Sequence, residues 1–301
     1  MVNIHVATEI CKNTYVESDV ETDLEQDSNI DYRTTGDSGA DHTNKIQKVT
    51  VYGTNDVEFK EMKISMKYNG IHTSVCVNLA HLRYKRTTVL QNYAIPILLS
   101  GRDMMAKTPT GSGKTTAFVV SILSCILKNL SDINDDGHPS ECFEPLAVIV
   151  VPTIQRVKNV YNVVSRLITN TELKCEPLFK ISSVPDPKRK IQNGIHILIS
   201  DPECLAGIVS RGWITFSKLQ IIVLDDVDLL LKAGYKPEIE FILNNQTMVS
   251  TDKRTTVLFS TTVDKDVQQI AMTYLKSNHI SIDVEEMVKL EEAYTTQKTN
   301  Y

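Results

Sequence analysis

TPTGSGKT, residues 108–115, lies directly after a short apolar run and opens into a segment where Phe118, Ile122, Cys125 and Ile126 recur at helical spacing. Gly111 and Gly113 let backbone amides close around phosphate oxygens, and the start of a helix directs its dipole at the same point. Lys114 would neutralise terminal phosphates, and the Thr115 hydroxyl would ligate Mg2+. The pattern prefers glycine at its first position, where Thr108 stands. Strand, loop and helix in this order predict a nucleoside triphosphate site. Its candidate residues are Thr110, Gly111, Ser112, Gly113, Lys114, Thr115 and Thr116.

Working outward, apolar runs at 103–107, 146–151, 196–200, 220–224, 255–259 and 280–284 are continuous in Val, Ile or Leu, as expected of strands buried on both faces. Helical patterns fall between them at 114–128, 155–168, 202–210, 236–244 and 264–274. This alternation predicts an α/β domain with a mostly parallel sheet and helices on both faces. Val49 to Tyr52 reads as an edge strand or a lead-in helix. The division is a tail over 1–45, a lead-in over 46–76, the sheet domain over 77–285 and a linker-like end over 286–301.

The 301 residues carry 37 acidic and 32 basic side chains, a net charge of −5. Ten of the acids but only four of the bases lie in residues 1–50, which leaves 27 acids against 28 bases elsewhere. The tail is therefore acidic, poor in large apolar residues, and expected to be disordered, because burial there would not offset the entropy of ordering. The near-neutral body excludes a strongly basic nucleic-acid binder recognisable from bulk charge, though not a local basic surface. Six dispersed cysteines without a CxxC pair argue against zinc or a disulfide framework. No apolar run approaches the roughly 20 residues that span a bilayer, and no signal peptide is legible, so an intracellular, cytoplasmic protein without membrane contact is expected.

A parallel-sheet nucleotide enzyme also needs an acid at a neighbouring strand end to hold magnesium through water. LQIIVLDDVDLLL places Asp225 and Asp226 directly after an apolar strand, with Asp228 two residues on. Asp225 is the candidate metal acid, and Asp226, with Lys114, the candidate catalytic pair.

The stretch RYKRTTVLQNYAIPILLSGRDMMAKTPTGSGKTTAF resembles the start of the core of DEAD-box ATP-dependent RNA helicases, closest to the Vasa-like group. The other motifs follow in order: Pro152-Thr153, Asp201-Pro202, LDDVD and Ser260-Thr261-Thr262. The resemblance covers residues 77–297 and implies the N-terminal RecA-like P-loop lobe with the start of a linker. It implies ATP with Mg2+ as ligand and RNA as partner. Tyr84 and Gln91, the latter read as a loop residue, would hold adenine. Ser260 and Thr262 would couple nucleotide state to RNA, and Pro152, Thr153 and Pro202 would touch RNA.

The departures fall on residues that do chemistry. Asp226 replaces the family's catalytic glutamate and is one methylene shorter, which weakens a base that must reach its water within about 3 Å. Ile154 and Gln155 replace an arginine and a glutamate, Ser182-Ser183 stand near a missing glycine pair, and Asp201 adds charge toward the phosphate path, so RNA affinity should fall. The family's second lobe, which supplies arginine fingers, is not read in this sequence, and one lobe alone would unwind little. Two readings therefore stay open: an RNA-dependent ATP hydrolase and helicase, and a non-catalytic nucleotide-binding scaffold, expected as a monomer whose acidic tail offers a surface to a protein partner. A small-molecule kinase leaves Gln91 and Ser260-Thr261-Thr262 unexplained. Trp213 reads as a packing residue and Lys188-Arg189-Lys190 as a solvated face.

Overall fold

The computed structural model describes residues 9–10, 46–53, 70–130, 142–179 and 194–287. The rest of the tail, Ser182-Ser183, Lys188-Arg189-Lys190 and the end beyond Met287 lie outside the described residues. In chain order the strands are β1 (Glu9–Ile10), β2 (Ile46–Tyr52), β3 (Met104–Lys107), β4 (Ala147–Val150), β5 (Cys175–Leu178), β6 (Ile197–Ser200), β7 (Ile221–Leu224), β8 (Thr255–Ser260) and β9 (Ile280–Met287). The helices are α1 (Thr73–His81), α2 (Val89–Leu99), α3 (Lys114–Asn129), α4 (Ile154–Leu167), α5 (Pro202–Ser210), α6 (Val227–Lys232), α7 (Lys236–Leu243) and α8 (Lys265–Tyr274).

One sheet carries all nine described strands in the order β1-β2-β9-β3-β8-β7-β4-β6-β5. From β9 to β5 every pairing is parallel, and β2 alone runs against the rest, antiparallel to both of its neighbours, β1 and β9. The continuous apolar runs are explained by side-chain alternation into two cores. On β4, Ala147 and Ile149 face one core while Val148 and Val150 face the other, and on β7 Ile221 and Val223 oppose Ile222 and Leu224. Helices α1 to α4 cover the first face, α5 to α8 the second.

The ambiguous 49–52 segment is a strand: β2 pairs with β9 in register from Ile46↔Met287 to Tyr52↔Ser281, and Val49 and Val51 enter the core. Residues read as lead-in therefore belong to the sheet, and α1 begins at Thr73, ahead of residue 77. Strands β1 and β5 and helices α1, α2 and α6 have no counterpart among the segments that the sequence pattern marks. Edge strand β5, with Glu176 and Pro177 inside four residues, lacks an apolar run and is held by one neighbour, β6. Helix α2 is apolar at most of its positions and carries Pro96 inside it.

Because the strands from β9 to β5 are parallel, the loops following their C-terminal ends gather along one edge. The adjacent order β3, β8, β7, β4, β6 places five loops side by side. In turn they begin at Thr108, Thr261, Asp225, Val151 and Asp201.

Candidate nucleotide site

The phosphate loop leaves β3 through Thr108, which is buried and whose amide donates to Ser260 O at 2.9 Å, tying it to the end of β8. Thr110 and Gly111 are exposed, whereas Ser112, Lys114, Thr115 and Thr116 are buried. Gly113 ends the loop as the N-cap of α3 with φ 87°, in the left-handed region. A Cβ there would stand 2.5 Å from Gln91 Nε2 and 2.9 Å from Thr88 Oγ1. Backbone strain and this double clash add, so Gly113→Ala is expected to destabilise the fold by about 2 kcal/mol in thermal unfolding.

Gln91 is not in a loop. It occupies the first turn of α2, 3% exposed. Thr88 and Gln91 form a capping box, Gln91 Oε1 accepting from Thr88 N at 2.9 Å and Thr88 Oγ1 accepting from Gln91 N at 3.3 Å. The other end of the amide, Nε2, donates to Gly113 O at 3.2 Å, and Thr88 Oγ1 donates to Ser112 O at 2.7 Å. Thus α2 holds the phosphate loop directly. The T-x-x-Q spacing ahead of an apolar run was the available signal. Tyr84 is half-buried with its hydroxyl 3.5 Å from Thr116 Oγ1.

Across β8, the acid motif leaves β7 and separates its carboxylates by role. Asp226 adopts φ 55°, an uncommon conformation for a residue with a Cβ, and its Oδ1 meets Lys114 Nζ at 2.8 Å. Asp225 is fully buried, and Oδ2 accepts from Arg156 Nε at 2.9 Å and Nη2 at 2.6 Å. Burial pushes the Asp225 carboxyl up from its ordinary value, while the Arg156 guanidinium opposes that rise. Arg156, which the sequence reading passed over, also donates from Nη2 to Thr115 Oγ1 at 3.0 Å.

Asp228 is the second residue whose role was missed. It is 2% exposed and gathers the whole 260–262 segment. Its Oδ2 accepts from Thr261 Oγ1 at 2.6 Å and Thr262 Oγ1 at 3.1 Å, and its Oδ1 from Thr261 N at 3.3 Å and Ser260 Oγ at 3.0 Å. Burial disfavours its charge, but hydrogen bonds from Thr261, Ser260 and Thr262 outweigh that and pull its pKa down to about 2. Ser260 and Thr262, read as a coupling pair, thus meet on one carboxylate that belongs to the acid motif.

At the next two strand ends, Pro152 is buried and Thr153 caps α4, its Oγ1 accepting from Arg156 N at 3.1 Å. Pro202 is buried at the first turn of α5. The sequence predicts Asp201 as a charge toward the phosphate path. Its carboxylate turns back instead to cap α5, Oδ1 accepting from Cys204 N at 2.9 Å, and burial raises its pKa.

Three buried polar atoms at the site lack partners: Thr108 Oγ1, Ser112 Oγ and Asp225 Oδ1. Two hydroxyls and a carboxylate oxygen, beside a buried ammonium and a helix N-terminus, suit phosphate oxygens and a hard cation. The residues therefore fit a nucleotide phosphate chain, and Thr115 and Asp225 are the side chains that could hold Mg2+.

The family model for DEAD/DEAH box helicases matches residues 88–270. The chain belongs to that family. Its relatives include the probable ATP-dependent RNA helicase DDX4 of Macaca fascicularis, 33% identical over 211 residues, 69% of this chain and 28% of that one. The ATP-dependent RNA helicase glh-1 of Caenorhabditis elegans is 30% identical over 211 residues, 70% of this chain and 27% of its own. The chain thus spans less than a third of the length of these helicases. Among solved structures, the yeast DEAD-box splicing factor Prp28 superposes with TM-score 0.69 at 22% identity, covering 80% of this chain and 55% of that one. Prp28 from Chaetomium thermophilum, bound to ADP, gives 0.63 at 22% identity, covering 74% and 51%. These establish the RecA-like DEAD-box fold. No described helix is long and apolar enough to cross a membrane.

Proposed function

We propose that this chain binds ATP and ADP with Lys114, Thr115 and the loop amides on the phosphates and Gln91 and Tyr84 at the adenine, and that it couples the nucleotide to RNA as a DEAD-box helicase lobe. The observation that carries the reading is the side-by-side order of strand ends, phosphate loop, 260–262 segment and acid motif, joined by the Lys114–Asp226 contact and the Asp228 hub. Asp226 is the water-activating acid. RNA phosphates would run past the N-termini of α4 and α5, which stand on adjacent strands in register at Val150↔Ser200. With Ile154 and Gln155 exposed and uncharged, that path offers dipoles rather than cations, so RNA affinity is low. An intracellular setting fits an RNA partner.

A second reading, a nucleotide-binding scaffold with negligible turnover, is favoured by Asp226 itself, whose short carboxylate is engaged by Lys114. Calorimetry with ATP and ADP, followed by RNA-stimulated phosphate release, separates them. Binding with slow, RNA-stimulated release is expected, and Asp226→Glu should raise the rate about tenfold by restoring reach to the water. Binding with no release in either protein favours the scaffold. Absence of binding rejects both.

A further inference from the structure

Arg156 stands at the third position of α4, where a positive charge is unfavourable against the helix dipole and where no acid shares the first turn. Helix formation therefore does not explain its placement. The sheet does: β4 and β7 pair in register at Val150↔Leu224, and Asp225 N donates to Val150 O at 2.9 Å, so the residues following the two strands are held together. Arg156 reaches across this seam with one-quarter of its side chain exposed and grips an Asp225 that has none exposed. Its Nη2 bridges the two oxygens a magnesium ion would share, Thr115 Oγ1 at 3.0 Å and Asp225 Oδ2 at 2.6 Å, and its Nε lies 3.7 Å from Asp226 Oδ2. A guanidinium is permanently charged and forked, which lets it neutralise a buried carboxylate while also donating to a neighbouring oxygen.

We propose that Arg156 is an internal cation occupying the metal position between Thr115 and Asp225, so that the phosphate loop holds nucleotide with little need of Mg2+. This rests on the nucleotide reading above. The guanidinium supplies positive charge beside the phosphates and occupies Asp225 Oδ2 and Thr115 Oγ1, leaving only Oδ1 without a partner, so a divalent ion that takes both residues as ligands must displace a hydrogen-bonded ion pair. Removing the arginine strips Asp225 of the one cation hydrogen-bonded to it and leaves only the more distant charge of Lys114, so a metal ion gains a favourable place beside the carboxylate.

The test compares the full chain with Arg156→Leu, and with Arg156→Gln as a second variant should the leucine protein not fold. ADP affinity is measured by calorimetry in Mg2+ and in EDTA, and Mn2+ binding without nucleotide by electron paramagnetic resonance. For the parent, EDTA should weaken ADP binding less than about threefold, whereas the variant should lose more than about thirtyfold. Mn2+ should bind the variant at least about tenfold more tightly than the parent. Arg156→Lys, which keeps charge without the fork, should fall between them. Equal Mg2+ dependence of ADP binding in parent and variant overturns the proposal. Failure of every protein to bind ADP rejects the nucleotide reading instead. The Mn2+ comparison then decides alone, equal Mn2+ affinities overturning the assignment of Arg156 and tighter binding by the variant upholding it.

Discussion

Lys114→Ala is expected to lower ATP and ADP affinity at least about 100-fold, close to 3 kcal/mol, with the fold retained. Lys114 is the first residue of α3, only 6% exposed, and its ammonium sits 2.8 Å from Asp226 Oδ1. A charge-assisted contact to phosphate in such a site is worth about twice a neutral hydrogen bond. The substitution also leaves the Asp226 carboxylate without its ammonium next to incoming phosphates, so a repulsion replaces an attraction. Calorimetry reads the affinity. A change below about fivefold, near 1 kcal/mol, would place the phosphates elsewhere.

Asp228→Ala is expected to cost about 4 kcal/mol of stability and to lower the melting temperature by about 10 °C. The carboxylate is almost fully buried and receives bonds from Ser260, Thr261 and Thr262, and its truncation removes the acceptor shared by these residues and by the Thr261 amide at the junction of β7 and β8. Lys232 Nζ, 3.7 Å away and exposed, contributes little. The pH dependence has a definite sign. With the folded pKa pulled down to about 2, ionised Asp228 stabilises the fold above the unfolded value of about 3.9. That contribution, about 2 kcal/mol, is lost as pH falls from about 4 toward 2. The stability gap between parent and Asp228→Asn should therefore be constant from neutral pH to about 5 and narrow below it. A gap independent of pH would mean that Asp228 is already protonated in the fold.

The two tests read different halves of one arrangement. Lys114 faces the ligand, whereas Asp228 ties the acid motif to the segment after β8, so that movement of either is felt by the other. Gly113 and Gln91 do the same on the opposite flank, where α2 clamps the phosphate loop through Gly113 O and Ser112 O. The phosphate loop is therefore fixed from both sides, by α2 and by the end of β8, before a ligand arrives.

Features written in neighbouring residues are legible before the chain folds. GSGKT between a strand and a helix is a local pattern with a local meaning, and so is a strand that is apolar at every position. The phosphate loop, the paired acids, the order of motifs and the parallel α/β architecture were legible for that reason. Sequence could not assign Asp228, because its partners are more than 30 residues away and meet it only where β7 lies beside β8. Nor could it assign Arg156, a basic residue near the start of an amphipathic helix. Its role depends on Asp225, 69 residues downstream, and on the β4–β7 register that seats the two chain segments side by side. Gln91 is recognisable by its context, yet it stands in a helix rather than the expected loop, and a capping box and a buried face sustain that helix. Asp201 was read as a charge, while the fold uses it as a helix cap. Local pattern specifies elements, because backbone preference and hydrophobic period act over a few residues. The partners of a buried charge are chosen by strand order, which only the folded sheet decides.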